Sequence, residues 1–245
     1  KSLGRYAHGN GTGRGFNKRK TKRVLHVDRF KKIGMSVENI LLVLGGNAPS
    51  EQILGWRTEK ADLSIAVDSG WLAFRAAKIL PDILIGDMDS WEGEIENIPN
   101  SVHLIEEKAQ DTTDFQKALS HLSQYEDLNE IVILGGLGNR TDHLISNFMT
   151  VSKVNSKVAV IFDSEKEWIR RVTPQTPLEI MGQKGATVSL LPLYPCKSVS
   201  TTGLEWEIKE KDFSLEGTAS QSNVFKSNES RISLSEGSLL VILQK

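Results

Sequence analysis

The stretch ILLVLGGN at residues 40–47 decides the fold of the first half of the chain, since an unbroken apolar run stops there at a glycine pair. Four similar apolar runs follow it. They are LSIAV at 63–67, ILI at 83–85, IVIL at 131–134 and VAVIF at 158–162. Short runs that are apolar at nearly every position are typical of strands buried on both faces, which is the environment of a parallel sheet.

The segments between these runs carry apolar residues at the three- and four-residue spacing of an amphipathic helix. The residues with this spacing are Trp71, Phe74 and Ala77 after the second run, Phe115, Leu119 and Leu122 before the fourth, and Leu144, Phe148 and Val151 after it. Strands that alternate with helices indicate an α/β layered fold, and we expect an N-terminal Rossmann-like parallel-sheet α/β domain.

The pattern changes near Pro174 and Pro177, which mark a linker. Beyond them, short segments of alternating apolar and polar residues are separated by Gly and Ser-Asn turns. These segments are ATVSLLP at 186–192, VSTTGLEWEI at 199–208, SNVFKS at 222–227, RISL at 231–234 and SLLVIL at 238–243. They predict a C-terminal antiparallel β-sandwich domain. We therefore predict an α/β nucleotide-binding domain at 35–165, a linker at 166–177 and a β-sandwich at 178–245.

The charge of the chain is unevenly distributed. Residues 1–34 contain eleven of the 30 Lys and Arg residues but one of the 31 acidic residues, which leaves a net charge of −11 on residues 35–245. A body this acidic is poorly suited to a phosphate backbone, so nucleic acid is not an expected partner. We expect residues 1–34 to be a disordered leader, with a basic targeting or nucleic-acid arm as the alternative. The sequence that begins at Met35 is expected to be complete in itself.

The single cysteine, Cys196, excludes an intramolecular disulfide framework and a cysteine-rich zinc site. This usage suits a reducing compartment, and we expect a cytoplasmic protein. No apolar run approaches the ~18 residues that a membrane span needs, so a membrane is not an expected partner.

Acidic residues directly follow two of the predicted strands. Asp68 follows the second run, and GDMDS at 86–90 follows the third, with Asp87 and Asp89 two residues apart. The carboxyl ends of parallel strands form the ligand-binding edge of an open α/β sheet. Carboxylates this close repel each other unless a cation lies between them, and oxygen-only ligands favour Mg²⁺. The alternative is that Asp87 and Asp89 cap the next turn or helix.

A third acidic position comes from QDTTDFQK at 110–117, which opens an amphipathic helix. Thr112 or Thr113 is a candidate N-cap, and a carboxylate in the first helical turn is favourable in any case. Asp114 is therefore either a structural residue or a further acid at the same sheet edge.

A glycine-rich segment, GGLGNRTDH at 135–143, follows the fourth apolar run. A glycine loop that leads into a helix presents backbone N–H groups to phosphate. Arg140 is placed to neutralise polyphosphate charge. We interpret His143 as a packing or hydrogen-bonding residue rather than a base.

Taken together, these motifs resemble the thiamine pyrophosphokinase family. The matching segments are AVDSG at 66–70, IGDMDS at 85–90, QDTTDFQKAL at 110–119, GGLGNRTDHLISN at 135–147, TTGLEW at 201–206, SQSNVF at 220–225 and GSLLVI at 237–242. The resemblance runs from Ile40 to Leu243. It implies an α/β catalytic domain followed by a β-sandwich, working as a homodimer. It also implies Mg²⁺-dependent transfer of diphosphate from ATP to the thiamine hydroxyl, with release of AMP.

The resemblance also implies roles for single residues. The metal-binding and catalytic carboxylates would be Asp68, Asp87, Asp89 and Asp114. The nucleotide and phosphate contacts would be Gly45, Gly46, Asn47, Ser69, Gly70, Ser90, Gln110, Asp111, Thr113, Arg140, Asp142 and Asn147. The thiamine-binding residues would be Ser220, Ser222 and Asn223. Phe225 is the candidate for an aromatic that stacks on thiamine, and either Asp89 or Asp114 would accept the hydroxyl proton.

Two positions depart from the family pattern, because Ser69 stands where glycine is common and the bulky Trp71 follows the turn. Two other functions therefore stay open. One is a pyrophosphokinase for another hydroxymethyl heterocycle, such as a pterin. The other is a catalytically inactive thiamine- or nucleotide-binding protein.

Overall fold

The predicted parallel sheet is present in the computed structural model, which describes residues 36–87, 98–107, 111–138 and 140–245. Six parallel strands lie in the order β4-β3-β2-β1-β5-β6. Their bounds are β1 Asn39–Val43, β2 Leu63–Val67, β3 Ile83–Gly86, β4 His103–Glu106, β5 Glu130–Leu134 and β6 Ala159–Asp163. The five apolar runs each form one of these strands, so that prediction is confirmed.

Two of the four described helices of this half begin at a residue whose side chain caps them. The four helices are α1 Glu51–Lys60, α2 Trp71–Ala76, α3 Asp114–Leu122 and α4 Thr141–Val151, and a 3₁₀ turn at Asp68–Gly70 leads into α2. Ser50 caps α1, and Thr113 caps α3 in a reciprocal capping box with Gln116. Among the described residues, the N-cap positions of α2 and α4 are Gly70 and Arg140, and neither makes a side-chain cap hydrogen bond.

Both faces of the parallel sheet are covered. Leu54 of α1 and Phe74 of α2 belong to a cluster with Leu41 and Leu84 on one face. The pleat turns alternate residues to the opposite face, where the ring of Phe148 in α4 meets Phe162 edge to face at 5.2 Å. This packing leaves the ends of the strands, rather than their faces, accessible to a ligand.

The second half is antiparallel and continues the same sheet through β6-β7-β13-β9-β12-β8. Its strands are β7 Glu167–Val172, β8 Leu178–Met181, β9 Thr187–Thr202, β10 Lys211–Phe213, β11 Ser220–Val224, β12 Glu229–Ser233 and β13 Glu236–Gln244. β10 and β11 pair with β9. A separate core fills this half, with Val188, Phe213 and Ile232 among its buried residues. The α/β part followed by an antiparallel β part confirms the expected fold class.

Part of the predicted linker is regular structure, because β7 pairs antiparallel with β6 and carries the sheet from one half into the other. Val37–Lys245 form one compact unit. The domain limits proposed from the sequence therefore stay a prediction.

Arg171 of β7 connects the C-terminal end of α4 to the sheet through hydrogen bonds. Its guanidinium is buried and donates hydrogen bonds to the carbonyl oxygens of Val151, Val154, Asn155 and Val158 at 2.6–2.9 Å. Burial lowers the pKa of Arg171 to about 10. Four carbonyl acceptors compensate the buried cation in place of a carboxylate.

In the part of the chain that the structure describes, no helix combines the length and the hydropathy needed to cross a membrane.

Candidate functional site

A cleft of about 430 Å³ opens at the carboxyl edge of the parallel sheet. Its walls are the loops that follow β1, β2 and β5, together with the first turns of α3 and α4. The predicted site residues that line it are Gly45, Gly46, Asp68, Ser69, Thr113, Asp114, Arg140 and Asn147. The strand order explains this convergence, since β1 lies between β2 and β5 in the sheet.

The glycine loops after β1 and β5 pack so closely that larger residues do not fit. The N–H of Gly46 donates to the carbonyl oxygen of Gly135 at 3.0 Å. A Cβ on Gly135 would lie 2.1 Å from the carbonyl oxygen of Leu44, and its φ of +66° is strained for any other residue. The glycines therefore form a wall of backbone that a phosphate group can approach closely.

Asp68 holds the most unusual backbone conformation in the cleft. It follows β2 directly and has a φ of +46°, in the left-handed region that few non-glycine residues occupy. A Cβ on Gly86, the last residue of β3, would lie 3.3 Å from the Cα of Asp68. Since Asp87 comes next in the chain, the two acids end neighbouring strands. Strain that is retained at a ligand-binding edge supports a functional role for Asp68.

Asp114 faces the same cleft from the first turn of α3, and it is paired. The Nζ atom of Lys117 donates to its Oδ1 at 2.9 Å, and the Lys117 side chain is 7% exposed. The capping box of Thr113 fixes the start of this helix. The sequence interpretation missed Lys117, although its spacing of three residues from Asp114 on one helix was the available signal.

The loop after β5 brings a cationic residue to the cleft. Arg140 donates to Asp142 through Nη2 at 2.6 Å, and both side chains are about two-thirds exposed. This hydrogen bond lowers the pKa of Asp142 below its ordinary value. An exposed ion pair is weak, so Arg140 can exchange Asp142 for a phosphate at little cost. Asn147, one turn beyond His143 in α4, donates to the carbonyl oxygen of Gly136 at 2.9 Å and so fixes the glycine loop.

His143 and Ser146 also line the cleft, which sequence reasoning did not assign to the site. Both share a face of α4 with Asn147, because Ser146 and Asn147 follow His143 by three and four residues. Helical periodicity counted back from Asn147 was the signal for His143, and the spacing of three from His143 was the signal for Ser146.

Other predicted residues lie beside the cleft or outside the described residues. The carboxamide of Asn47 packs against Gly138, and the backbone of Gly70 packs against the carbonyl of Val43. Asp111 and Asp142 are exposed and are not among the described residues that line the cleft. Asp89, Ser90 and Gln110 fall outside the described residues.

The carboxylates at this edge fit a hard divalent cation by their chemistry. Asp68 and Asp87 supply only oxygen donors from adjacent strand ends, which suits Mg²⁺. Within residues 36–87, 98–107, 111–138 and 140–245, no three His, Cys, Asp or Glu side chains come close enough to hold a metal by themselves. Mg²⁺ commonly keeps several waters and phosphate oxygens as ligands, so a site with few carboxylates is adequate for it.

The antiparallel half carries a second polar group on β11. Asn223 is 1% exposed, and its Nδ2 donates to the carbonyl oxygen of Trp206 at 2.8 Å. Its Oδ1 accepts the backbone N–H groups of Trp206 and Val224 at 3.2 and 2.8 Å. Trp206 is 63% exposed, so Asn223 holds a large aromatic side chain at the surface.

The two predicted serines lie on the same strand as Asn223. Ser222 has a φ of +54°, and its N–H donates to the Oγ of Ser189 at 3.1 Å. The Oγ of Ser220 accepts from the Asn223 amide at 3.4 Å. The prediction that Phe225 stacks on thiamine is wrong. Phe225 is 1% exposed and belongs to the core of this half. Trp206 was missed as an aromatic although TTGLEW had been singled out.

Two family models match the chain. The model described as the thiamin pyrophosphokinase catalytic domain matches residues 56–162, and that described as the thiamin pyrophosphokinase vitamin B1 binding domain matches residues 175–239. The first match includes the cleft residues from Val67 to Asn147 but not Gly45 and Gly46, and the second includes Trp206 and β11.

Individual proteins give similar results. The chain is 29% identical over 163 residues to thiamine pyrophosphokinase 1 of Oryza sativa subsp. japonica, which is 62% of each chain. It is 27% identical over 157 residues to thiamine pyrophosphokinase 2 of Arabidopsis thaliana, covering 60% of this chain and 59% of that one. The aligned region thus spans less than two thirds of these plant relatives.

Among solved structures, a thiamine pyrophosphokinase from Bacillus subtilis superposes with a TM-score of 0.72 at 24% identity, over 85% of this chain and 99% of that one. At this identity the superposition establishes the shared fold.

Proposed function

The chain belongs to the thiamin pyrophosphokinase family, and we propose that it transfers a diphosphate group from ATP to the hydroxyl of thiamine, giving thiamine diphosphate and AMP. The observation that carries the proposal is the cleft itself, which gathers Asp68, Asp114, Arg140 and two glycine loops at one sheet edge. The family's second domain model matches the half that presents Trp206.

The cleft is suited to a nucleotide polyphosphate. Gly45 and Gly46 offer backbone to one side of the phosphates, and α4 starts at the cleft with no cap hydrogen bond from the side chain of its N-cap residue, Arg140. Arg140 adds a cation at the same helix end. Diphosphoryl transfer is governed by positioning and by stabilisation of negative charge, and these groups provide both.

We propose Asp68 and Asp87, with Asp89 and Asp114, as the residues that would hold Mg²⁺. When bound, the cation neutralises charge on the phosphates of ATP and on the leaving AMP. The fit of the donor set to a hard cation supports this proposal, as does the strained conformation of Asp68.

One of the acids must accept the hydroxyl proton of thiamine. Asp114 is the candidate whose carboxylate lines the cleft, and Lys117 holds one of its oxygens. A carboxylate in hydrogen-bonding reach of the hydroxyl would act as the general base while the oxygen attacks the β-phosphorus.

We propose that thiamine contacts the surface of the antiparallel half, formed by Ser220, Ser222 and Trp206, with Asn223 acting through Trp206. The proposed active unit is a cytoplasmic homodimer in which this surface of one subunit completes the cleft of the other. Exposed Trp206, Tyr194 and Leu215 supply apolar area for such a contact. Sedimentation at several concentrations tests the dimer.

One assay tests the activity. The full chain is incubated with ATP, Mg²⁺ and thiamine, and AMP and thiamine diphosphate are quantified by chromatography. We expect equimolar AMP and thiamine diphosphate, and no AMP when a pterin alcohol replaces thiamine. ADP in place of AMP, or faster turnover of the pterin alcohol, would overturn the proposal.

A further inference from the structure

A cluster of charged residues lies where β6 turns into β7, outside the residues assigned to the cleft. Asp163 ends β6 and is 3% exposed. Its Oδ2 accepts hydrogen bonds from the guanidinium of Arg57, with Nε at 2.8 Å, and its Oδ1 accepts from Nζ of Lys245. Two residues later, Oε1 of Glu165 accepts the backbone N–H of Ser50 at 2.7 Å.

Both acids of this turn bind the same helix. Arg57 lies in α1, and Ser50 is its N-cap residue, whose Oγ accepts from the N–H of Ile53 at 3.3 Å. The hydrogen bond from the backbone N–H of Ser50 lowers the pKa of Glu165 below its ordinary value. An ionised acceptor at a helix N-terminus also interacts favourably with the helix dipole.

The helix in turn continues from the first glycine loop of the cleft. At one end of this loop, the N–H groups of Leu44 and Gly46 donate to the carbonyl oxygens of Leu134 and Gly135 at 2.8 and 3.0 Å. At the other end, Ser50 is bound by Glu165. The loop is therefore fixed on one side by β5 and on the other by the turn after β6.

We propose that Glu165, assisted by Asp163, is a positioning residue for nucleotide binding, because it fixes the loop that carries Gly45 and Gly46. The inference rests on the proposed nucleotide function of the cleft. Glu165 does not line the cleft among the described residues, and it acts through Ser50 and α1. A loosened loop costs nucleotide affinity because its backbone must be ordered when the phosphates bind.

The test compares Glu165→Ala with Glu165→Gln, which keeps an oxygen acceptor, and with Glu167→Ala as the matched control. Glu167 is a carboxylate of the same turn region, but it accepts from Gln244 at 2.8 Å and does not reach α1. Asp163 is left intact because its removal would leave the guanidinium of Arg57, which is 12% exposed, without its carboxylate partner. For each full-length variant, AMP binding is measured by calorimetry, and KM for ATP, KM for thiamine and kcat are measured separately.

We expect Glu165→Ala to raise the AMP Kd and the ATP KM about five- to tenfold, because one charge-assisted hydrogen bond is lost. The thiamine KM and kcat should stay within about twofold of the wild-type values, whereas a general loss of structure would change them as well. Glu165→Gln should restore most of the affinity, and Glu167→Ala should match the wild type.

Three results would overturn the inference, and they differ from one another. Wild-type AMP affinity in Glu165→Ala would remove the positioning role and leave the transferase proposal intact. Equal losses in Glu165→Ala and Glu167→Ala would show that the turn is merely structural. A wild-type chain that neither binds AMP nor forms thiamine diphosphate would remove the proposed function, and the inference with it.

Discussion

The polar groups of the parallel and antiparallel halves differ in how firmly they are held by hydrogen bonds. In the parallel half, Arg140 at the cleft forms an exposed ion pair with Asp142, and its side chain makes no cap hydrogen bond to α4. In the antiparallel half, the amide of Asn223 is fully engaged with neighbouring backbone. A group held by a weak, exposed ion pair can exchange its partner for a ligand, whereas a group with all its hydrogen bonds made fixes a surface. The comparison assigns chemistry to the first half and substrate positioning to the second.

The largest expected effect is the loss of Asp68 from the parallel half. Asp68→Asn should lower kcat for thiamine diphosphate formation about a hundred- to a thousandfold, the range for losing an electrostatic group at a reacting centre. Asp212→Asn is the control, since that acid forms an exposed pair with Lys197 in the antiparallel half. Activity of Asp68→Asn above half that of Asp212→Asn would erase the distinction between the halves.

The next effect concerns glycines with positive φ, one in each half. Gly135→Ala should destabilise the fold by about 3 kcal/mol or more, because the left-handed backbone and a clash with Leu44 act together. Gly182→Ala has the same backbone strain, but its Cβ would meet no atom within 4 Å, so about 1 kcal/mol is expected. Urea unfolding of both variants measures the difference. Equal losses in the free energy of unfolding would mean that the close contact of Gly135 with Leu44 adds nothing to the cost of the substitution.

A smaller effect is expected for Asn223→Ala, which removes the two hydrogen bonds between the Asn223 amide and the backbone of Trp206. Stability should fall by about 2 kcal/mol, because backbone groups lose their buried partner. The thiamine KM should rise while the ATP KM stays within twofold. Asn228→Ala, at an exposed position of the same half, is the control. A rise in the ATP KM alone would reverse the roles given to the halves.

The smallest effect concerns the reactivity of Cys196 in the antiparallel core. Burial raises its pKa from the ordinary 9.0 to about 11, so the folded thiol stays protonated at pH 8. The native chain should react slowly with a thiolate-selective reagent at pH 8 and faster as the pH rises to 11. The unfolded chain should react faster than the native chain at pH 8. Folding stability should fall over the same pH range, because the unfolded thiol ionises first. Rapid labelling of the native chain at pH 8 would contradict this packing.

The sequence was most informative where burial is uniform. Continuous apolar runs identified five parallel strands, and the convergence of their carboxyl ends predicted the cleft. β4 was missed because HLIE is partly exposed at the sheet edge, so it lacks an apolar run. β7 was missed because Arg170 and Arg171 interrupt its pattern, and Arg171 is tolerated only through distant carbonyl partners.

The parts of the site that escaped the sequence depend on contacts between side chains. The pairing of Lys117 with Asp114 needs both rotamers, which the sequence does not specify. Similarly, Trp206 is exposed and Phe225 is buried although both lie in motifs that had been singled out. β9 also merged two predicted segments, since bulges let a 16-residue strand continue past Pro192 and Pro195.

The most direct test of the account is the dependence of nucleotide affinity on Mg²⁺ at the acidic sheet edge. ATP Kd is measured by calorimetry with saturating Mg²⁺ and with EDTA, for the wild type and for Asp68→Asn/Asp87→Asn. The account predicts that Mg²⁺ tightens ATP binding at least tenfold in the wild type and has little effect in the double variant. An equal response to Mg²⁺ in both proteins would contradict the claim that these acids hold the cation.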